Sequence, residues 1–320
     1  MKKYAFISAA IPALFATAPA QQAPAPPLAP APAVAPAQSA PAPTESADIT
    51  KPWPSPDVVQ GIKIPAPRSK KEVEPVLAAV KPMPDEEKKR PFHIVLCAAQ
   101  KDAGHNGVGF HDYPIWRERW TKILAQVPGV TTEPADKWPT AEQFKKADVI
   151  AFFHNNPVWD ATKVPEMDAF LERGGGLVFL HFSMNGNRDP KSLATRLGRA
   201  WTGNKWLRGD VNLKYSPHEI TKGFPESDIR PEEPYWKLFG EGEGTATIAA
   251  MDADGAAQPQ VWSVERGGGR VFVCIPCHFT WTHDDPLFRV LAYRGLCWTA
   301  KRPLNRLDAA IYTGARVVEP

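Results

Sequence analysis

Four short runs of apolar residues constrain the fold of this chain most strongly. They cover residues 91–99, 147–154, 177–184 and 270–275, and polar or glycine-rich segments lie between them. Runs of this length are long enough for strands but short for most helices. Strands buried on both faces give such continuous apolar runs, which is typical of the interior of a parallel sheet. The sequence therefore predicts a parallel sheet.

Amphipathic segments between these runs predict helices. Residues 115–127 place Trp116 and Trp120 at helical spacing. Three glycines after residue 173 end another predicted helix, because glycine adopts the left-handed backbone conformation at little cost. The remaining predictions are helices over residues 140–146, 162–173, 191–197 and 284–301, an edge strand over 130–133, and strands over 245–251 and 260–265. This alternation favours an α/β fold with a mostly parallel sheet and helices on both faces.

The N-terminus has the features of a secretory signal peptide. Lys2 and Lys3 precede an apolar run over residues 4–15, and Ala18-Pro-Ala20 has the small residues of a cleavage site. The run is shorter than the ~20 residues that a membrane-spanning helix needs. We therefore expect a periplasmic or extracellular protein with no stable membrane span after cleavage.

The composition divides the rest of the chain. Residues 21–56 are rich in alanine and proline and predict a disordered linker. Residues 57–90 form a lead-in rich in proline and charge, with at most a short helix near residues 72–80. The globular α/β domain is predicted for residues 91–310, and residues 311–320 form a C-terminal tail. The domain is long enough for one substantial core.

Charge and cysteine content exclude some functions. The formal net charge is only +3, and no basic stripe alternates with aromatic residues, so nothing supports nucleic-acid binding. Three of the four cysteines lie in apolar runs, which favours inert core thiols. For an exported protein, a disulfide is an alternative prediction, either between Cys274 and Cys277 or between Cys97 and Cys297.

Six of the eight histidines end predicted strands or lie in the loops that follow them: His105, His111, His154, His181, His278 and His283. In open α/β sheets, the loops at the carboxyl ends of the strands form the ligand crevice. Together with Asp112, Glu233 and Asp284, these histidines predict a polar site.

Several motifs resemble those of the trehalose-utilisation (ThuA-like) family. They are Gly269–Phe272, His278, Asp285–Arg289 and Gly295–Trp298 near the C-terminus, the loop from Lys101 to Pro114, the apolar strand that ends at His181, and Glu233 with Tyr235. The resemblance implies a flavodoxin-like fold similar to class I glutamine amidotransferases. It also implies a role in sugar catabolism, including the processing of 3-keto derivatives of disaccharides.

The same resemblance bears on the nucleophile. Amidotransferases of this fold place a cysteine on a sharp elbow after the central strand, whereas this chain has His181, Phe182 and Ser183 there. Thiolate chemistry thus lacks its nucleophile at that position. Ser183 is not surrounded by the G-x-S-x-G pattern of a serine hydrolase. An amide or ester hydrolase that uses Ser183 or Cys277 remains the less favoured alternative.

The interpretation that fits these features is an enzyme acting on a small carbohydrate or keto-glycoside. Glu233 and His278 are the leading acid–base pair, and His181 is a third catalytic candidate. Predicted substrate contacts are His111, Asp112, Tyr113, Tyr235, Trp281 and His283. A divalent transition metal is a candidate cofactor, with His105, His111, His181 and His278 as candidate ligands. The open alternative is a non-catalytic carbohydrate-binding or scaffold protein; the sugar, the bond and the oligomeric state are not predicted.

Overall fold

A nine-stranded sheet is the centre of the computed structural model, which describes residues 48–102, 105, 107–156, 159, 162–186 and 188–320. The predicted signal peptide and most of the predicted linker lie outside the described residues. The strands within these ranges are β1 (Val58–Val59), β2 (Ile62–Lys63), β3 (Arg68–Ser69), β4 (Phe92–Ala98), β5 (Val130–Asp136), β6 (Val149–Phe153), β7 (Gly176–Leu180), β8 (Lys205–Trp206), β9 (Gly209–Tyr215), β10 (Ser227–Glu232), β11 (Tyr235–Trp236), β12 (Thr245–Ala253), β13 (Ala256–Arg266), β14 (Gly269–Cys274) and β15 (Val317–Val318).

Helices connect or cover these strands. The α-helices of the described residues are α1 (Lys70–Ala78), α2 (Asp85–Lys89), α3 (Tyr113–Leu124), α4 (Ala141–Lys146), α5 (Val164–Glu172), α6 (Pro190–Leu197) and α7 (Pro286–Thr299). Short 3-10 turns cover His181–Met184, Thr280–Asp284 and Asp308–Ala310. Helix α7 begins two residues after its predicted start, because Pro286 opens it and the Asp285 carboxylate accepts the N–H groups of Leu287 and Phe288.

The sheet has a parallel half and an antiparallel half. Its order is β10-β9-β12-β13-β14-β7-β6-β4-β5. Neighbours from β14 to β5 are parallel, and neighbours from β10 to β14 are antiparallel. The parallel half confirms the predicted flavodoxin-like core. Strands β9 and β10 fall where the sequence predicts no regular structure.

Alternate side chains of the parallel strands face two separate cores. Residues such as Ile94 and Val178 pack with helices α3 and α7. Their neighbours in sequence, such as Val95 and Phe179, pack with helices α4, α5 and α6 on the opposite face. This division follows from the two-residue period of a strand. It confirms helices on both faces of the sheet.

The segments at both ends of the predicted domain are packed against it. Trp53 is 2% exposed, although it falls in the predicted linker, and Val73 and Val76 of the lead-in are 0% and 1% exposed. Ile311 of the predicted tail is buried, and β15 pairs in parallel with β3. The packed chain therefore extends beyond the predicted limits of 91 and 310 in both directions.

All four cysteines are buried and unpaired in the structure. Burial raises the pKa of each thiol, which keeps it protonated. They are core thiols, as the apolar runs around them predict. None of the helices in the described residues contains an apolar stretch that would span a bilayer.

Candidate functional site

The central parallel strand β7 delivers His181 to the carboxyl edge of the sheet. His181 follows Leu180 directly and is 0% exposed. Its φ angle of 49° lies in the left-handed region, which costs free energy for a residue other than glycine. The strand and the 3-10 turn after it hold this conformation. Strained backbone of this kind concentrates at functional sites.

Two neighbouring loops bring His111 and His278 to the same place. His111 lies in the loop after β4 and His278 in the loop after β14. The backbone N–H of His111 donates to the His278 carbonyl oxygen at 3.2 Å. Phe110 and Phe279 form an isolated antiparallel β-bridge between the two loops. His111 also has a positive φ angle, 48°. The two loops therefore form one fixed surface.

These three histidines form a cluster, here named the histidine cluster. His181 Nε2 lies 3.0 Å from His111 Nε2 and 3.1 Å from His278 Nδ1. The third side of the triangle, from His278 Nδ1 to His111 Nε2, is 3.0 Å. All three side chains are at least 97% buried. The sequence predicts this meeting, and the structure shows it.

The second nitrogen of each ring faces an acceptor. His181 Nδ1 donates to the Ile275 carbonyl oxygen at 2.8 Å, and His278 Nε2 donates to Gln60 Oε1 at 2.7 Å. His111 Nδ1 lies 3.3 Å from the Asp102 carboxylate. A neutral imidazole carries one proton, so these contacts place a lone pair on each nitrogen of the triangle.

Burial keeps the histidine cluster neutral. It lowers the pKa of His111 to about 4, and it lowers the pKa values of His181 and His278 well below the ordinary range of imidazole. Neutral imidazole is the form that binds metal ions. Three lone pairs this close repel one another in the absence of a shared cation. The electrostatics therefore favour a positive ion at the centre.

Glu233 and Tyr235, the latter in β11, complete the surroundings of the histidine cluster. Glu233 follows β10, and its Oε1 lies 3.8 Å from His181 Nε2 and 3.6 Å from His278 Nδ1. The Tyr235 hydroxyl lies 2.8 Å from His181 Nε2 and donates to Glu233 Oε1 at 3.1 Å. Arg208 Nε donates to Glu233 Oε2 at 2.6 Å. Burial raises the pKa of Glu233, although the nearby Arg208 charge opposes the rise.

This donor set fits a divalent transition metal. The ligand atoms of His111, His181, Glu233 and His278 all lie within 4.8 Å of one another. Nitrogens at the spacing of the histidine cluster can all lie about 2.1 Å from one ion, the usual Zn–N distance. Imidazole with a carboxylate suits Zn, Mn, Fe or Ni better than Mg or Ca.

Asp102 supports His111 from behind. It accepts a hydrogen bond from Tyr113 Oη at 2.7 Å, and it lies near His111 Nδ1 and His105 Nδ1, at 3.3 and 3.4 Å. Burial acts to raise the pKa of Asp102, but hydrogen bonds from His105, His111 and Tyr113 outweigh burial and lower this pKa. Carboxylate–histidine pairs of this kind orient metal ligands. His105 itself is 36% exposed and lies at the rim of the site.

Glu232 fixes the loop that carries His278. It accepts the His278 N–H at 3.0 Å and also accepts the Thr282 hydroxyl. The side chain is fully buried, and burial raises its pKa to about 7. Adjacent glutamates thus have different tasks, because Glu232 holds the backbone and Glu233 faces the histidine cluster.

Three predicted substrate contacts pack against or pair with groups outside the histidine cluster. His283 packs among aromatic rings of the core, including Trp53, Trp120 and Phe153. Trp281 stacks on Phe279 and is 2% exposed. Asp112 pairs with Lys101 and accepts the Gly109 N–H, which stabilises the loop before α3. His154 also stays apart, where its Nδ1 accepts the Asn156 N–H.

Four residues of the site have no predicted role. Asp102 lies in the loop motif and Glu232 lies beside Glu233, so their carboxylates were the available signal. Arg208 was visible only as one cation in a region without predicted structure. Gln60 gave no signal, since its contact with His278 joins residues 218 positions apart.

Comparison with known proteins identifies the family. The model of the trehalose utilisation (ThuA) family matches residues 107–299, which is more than half of the chain. The protein therefore belongs to the trehalose utilisation family, as its motifs predict. The comparison with curated proteins gave no match.

Solved structures agree with the fold. A ThuA-like protein from Bacteroides uniformis is 18% identical, with a TM-score of 0.52 over 68% of this chain and 96% of that one. A ThuA-like protein from Parabacteroides merdae is 16% identical, with a TM-score of 0.50 over 66% of this chain and 90% of that one. At these identities the similarity establishes the fold alone.

Proposed function

We propose that this protein is a metal-dependent enzyme that acts on a carbohydrate by acid–base chemistry. The observation that carries the proposal is the convergence of three neutral imidazole nitrogens at 3.0–3.1 Å, with Glu233 beside them. Membership of the trehalose utilisation family indicates a carbohydrate-related role and supports this class of substrate.

A divalent ion held by His111, His181 and His278 would supply a Lewis acid that polarises a carbonyl or hydroxyl oxygen of the sugar. Glu233 is the proton-transfer group, because its raised pKa and its position next to the histidine cluster suit a general base. Arg208 holds one oxygen of Glu233 and leaves Oε1 directed at the cluster.

Tyr235 orients the base and stays protonated. Burial raises the pKa of Tyr235 well above its usual range, so the hydroxyl acts as a hydrogen-bond donor. Its donation to Glu233 Oε1 fixes the carboxylate against His181. The proton that Glu233 takes comes from a carbon beside a sugar carbonyl or from a group at the glycosidic bond.

The test is turnover of a panel of plain and oxidised disaccharides by the metal-loaded protein. For the substrate found, Glu233→Gln should lower kcat by about 10²- to 10⁴-fold, since it removes the base but keeps the size of the side chain. Lys214→Gln, at an exposed position of β9, is the matched control and should leave kcat unchanged. Unchanged turnover by the Glu233 variant would remove Glu233 from this role.

A non-catalytic carbohydrate-binding protein is the second candidate. It is favoured by the burial of His181 and His278, which are 0% and 1% exposed, because a sugar bound at the protein surface would not reach them. Calorimetric binding of a sugar without any turnover would support it. The hydrolase alternative has less support, because Ser183 Oγ makes no hydrogen bond among the described residues and burial raises the pKa of Cys277.

A further inference from the structure

The turn between β1 and β2 reaches the histidine cluster from outside the region that the family model matches. That match begins at residue 107, whereas the turn consists of Gln60 and Gly61. The Gln60 side chain places its amide oxygen 2.7 Å from His278 Nε2. The N-terminal segment, defined here as residues 48–69, thus contributes directly to a site whose other parts lie far along the chain.

Contacts on both sides of Gln60 anchor the N-terminal segment at the site. Val59 is 3% exposed and packs with Phe110, Phe279 and Trp281. The Thr280 hydroxyl donates to Ser55 Oγ at 3.0 Å, and the Trp53 N–H donates to the Asp284 carboxylate. These partners belong to the same two loops that carry His111 and His278. The position of Gln60 is therefore fixed relative to the histidine cluster.

The backbone at Gln60 is unfavourable for a glutamine. Its φ angle is 52° and that of Gly61 is 80°, so both residues of the turn are left-handed. Such turns favour glycine or asparagine, and the left-handed region costs other residues about 1–2 kcal/mol. Glycine would therefore adopt this backbone conformation at a lower free-energy cost than glutamine. The hydrogen bond to His278 gives a reason for a longer side chain here.

We infer that Gln60 is a positioning residue of the metal centre and that it orients His278 for the ion. By accepting the Nε2 proton, its amide oxygen leaves the lone pair of His278 on Nδ1, the atom that faces His111 and His181. This inference rests on the proposed metal-dependent function. It extends the site beyond the residues of the family match.

The experiment compares Zn²⁺ affinity of the metal-free full chain with that of three variants, by competition with a chromophoric chelator. Gln60→Gly removes the acceptor and relieves the left-handed backbone, so it should unfold at or above the wild-type temperature without metal. The same variant should bind Zn²⁺ roughly ten- to a hundredfold more weakly. Gln60→Glu keeps an acceptor and should retain near wild-type affinity. Lys63→Ala, exposed in the same hairpin, is the matched control.

The outcomes separate this inference from the proposed function. Wild-type protein that binds no Zn²⁺ contradicts the metal centre itself, and the role of Gln60 fails with it. Wild-type protein that binds Zn²⁺ while Gln60→Gly binds it equally tightly overturns the role of Gln60 alone. Weak Zn²⁺ binding by both Gln60→Gly and Gln60→Glu also contradicts the role of Gln60, because Zn²⁺ affinity would then not depend on a hydrogen-bond acceptor at position 60.

Discussion

His278 and His283 lie in one loop, but their environments differ completely. His278 has hydrogen-bonding partners on both ring nitrogens, whereas the ring of His283 packs among aromatic side chains of the core. The 3-10 turn over Thr280–Asp284 rotates His283 away from the site and into the aromatic core. A histidine in a polar loop is therefore not sufficient to predict a site residue.

The environment of His283 predicts a pH-dependent stability. Burial lowers its pKa to about 3, whereas the unfolded chain has the ordinary value near 6.5. The unfolded state therefore binds a proton on His283 more readily than the folded state. The unfolding free energy is unaffected by this residue above about pH 6.5 and falls as the pH drops toward 3. His283→Phe should reduce the loss of unfolding free energy between pH 7 and 4 by about 3 kcal/mol. Denaturant unfolding of the wild type and the variant at both pH values measures this difference. Equal losses of unfolding free energy in the two proteins would contradict the prediction.

Helix α7 shows how one element joins distant segments. All of its residues are buried. Within it, Arg294 donates to the carbonyl oxygens of Ile220 and Lys222 in the loop after β9, and to that of Val76 in α1. The helix thus holds the lead-in against the sheet, and the lead-in is continuous with the turn that contains Gln60.

Replacement of this arginine tests the role of α7. Arg294→Met keeps most of the volume but leaves three carbonyl groups, two of them buried, without this donor, so it should cost about 2–4 kcal/mol of unfolding free energy. Arg196→Met, which removes the ion pair between α6 and Asp168 of α5, is the matched control and should cost about 1 kcal/mol or less. Urea unfolding measures both, and equal costs would refute the distinction.

The elements differ in how well their sequences predict them. The parallel strands are predictable because burial on both faces makes them continuously apolar, as in Gly176–Leu180. Strand Gly209–Tyr215 is buried on alternate residues only. Its exposed charged residues interrupt the apolar pattern, so the sequence does not predict it as a strand. His181 and His278 were predictable as strand-end residues. Gln60 was not, because only tertiary packing brings it to His278.

At the scale of the whole molecule, the predicted signal peptide gives a testable expectation of export. Cleavage after Ala20 requires small residues at positions 18 and 20. In a secreting bacterial host, mass spectrometry should find a mature N-terminus at Gln21. Ala20→Phe should leave the full-length chain, whereas Ala33→Phe in the Ala/Pro-rich segment should be processed normally. An uncleaved wild-type chain would contradict export by this route.

The site exists only when the whole domain is folded, because its side chains come from the segments after β4, β7, β10 and β14. Ions that bind the native state alone stabilise it by mass action. At about one hundred times the dissociation constant, a bound metal should add about 2.7 kcal/mol to the unfolding free energy. A thermal shift with Zn²⁺ or Mn²⁺, absent in the presence of EDTA, is the expected result.

The metal content of the purified protein decides whether the histidine cluster holds an ion. After loading with Zn²⁺ or Mn²⁺ and gel filtration, the wild-type chain should retain about one ion, because three imidazoles form a typical catalytic metal site. His181→Ala should retain almost none, and His218→Ala, a histidine outside the cluster, should match the wild type. Equal metal content in the wild type and His181→Ala would contradict a metal centre at the histidine cluster.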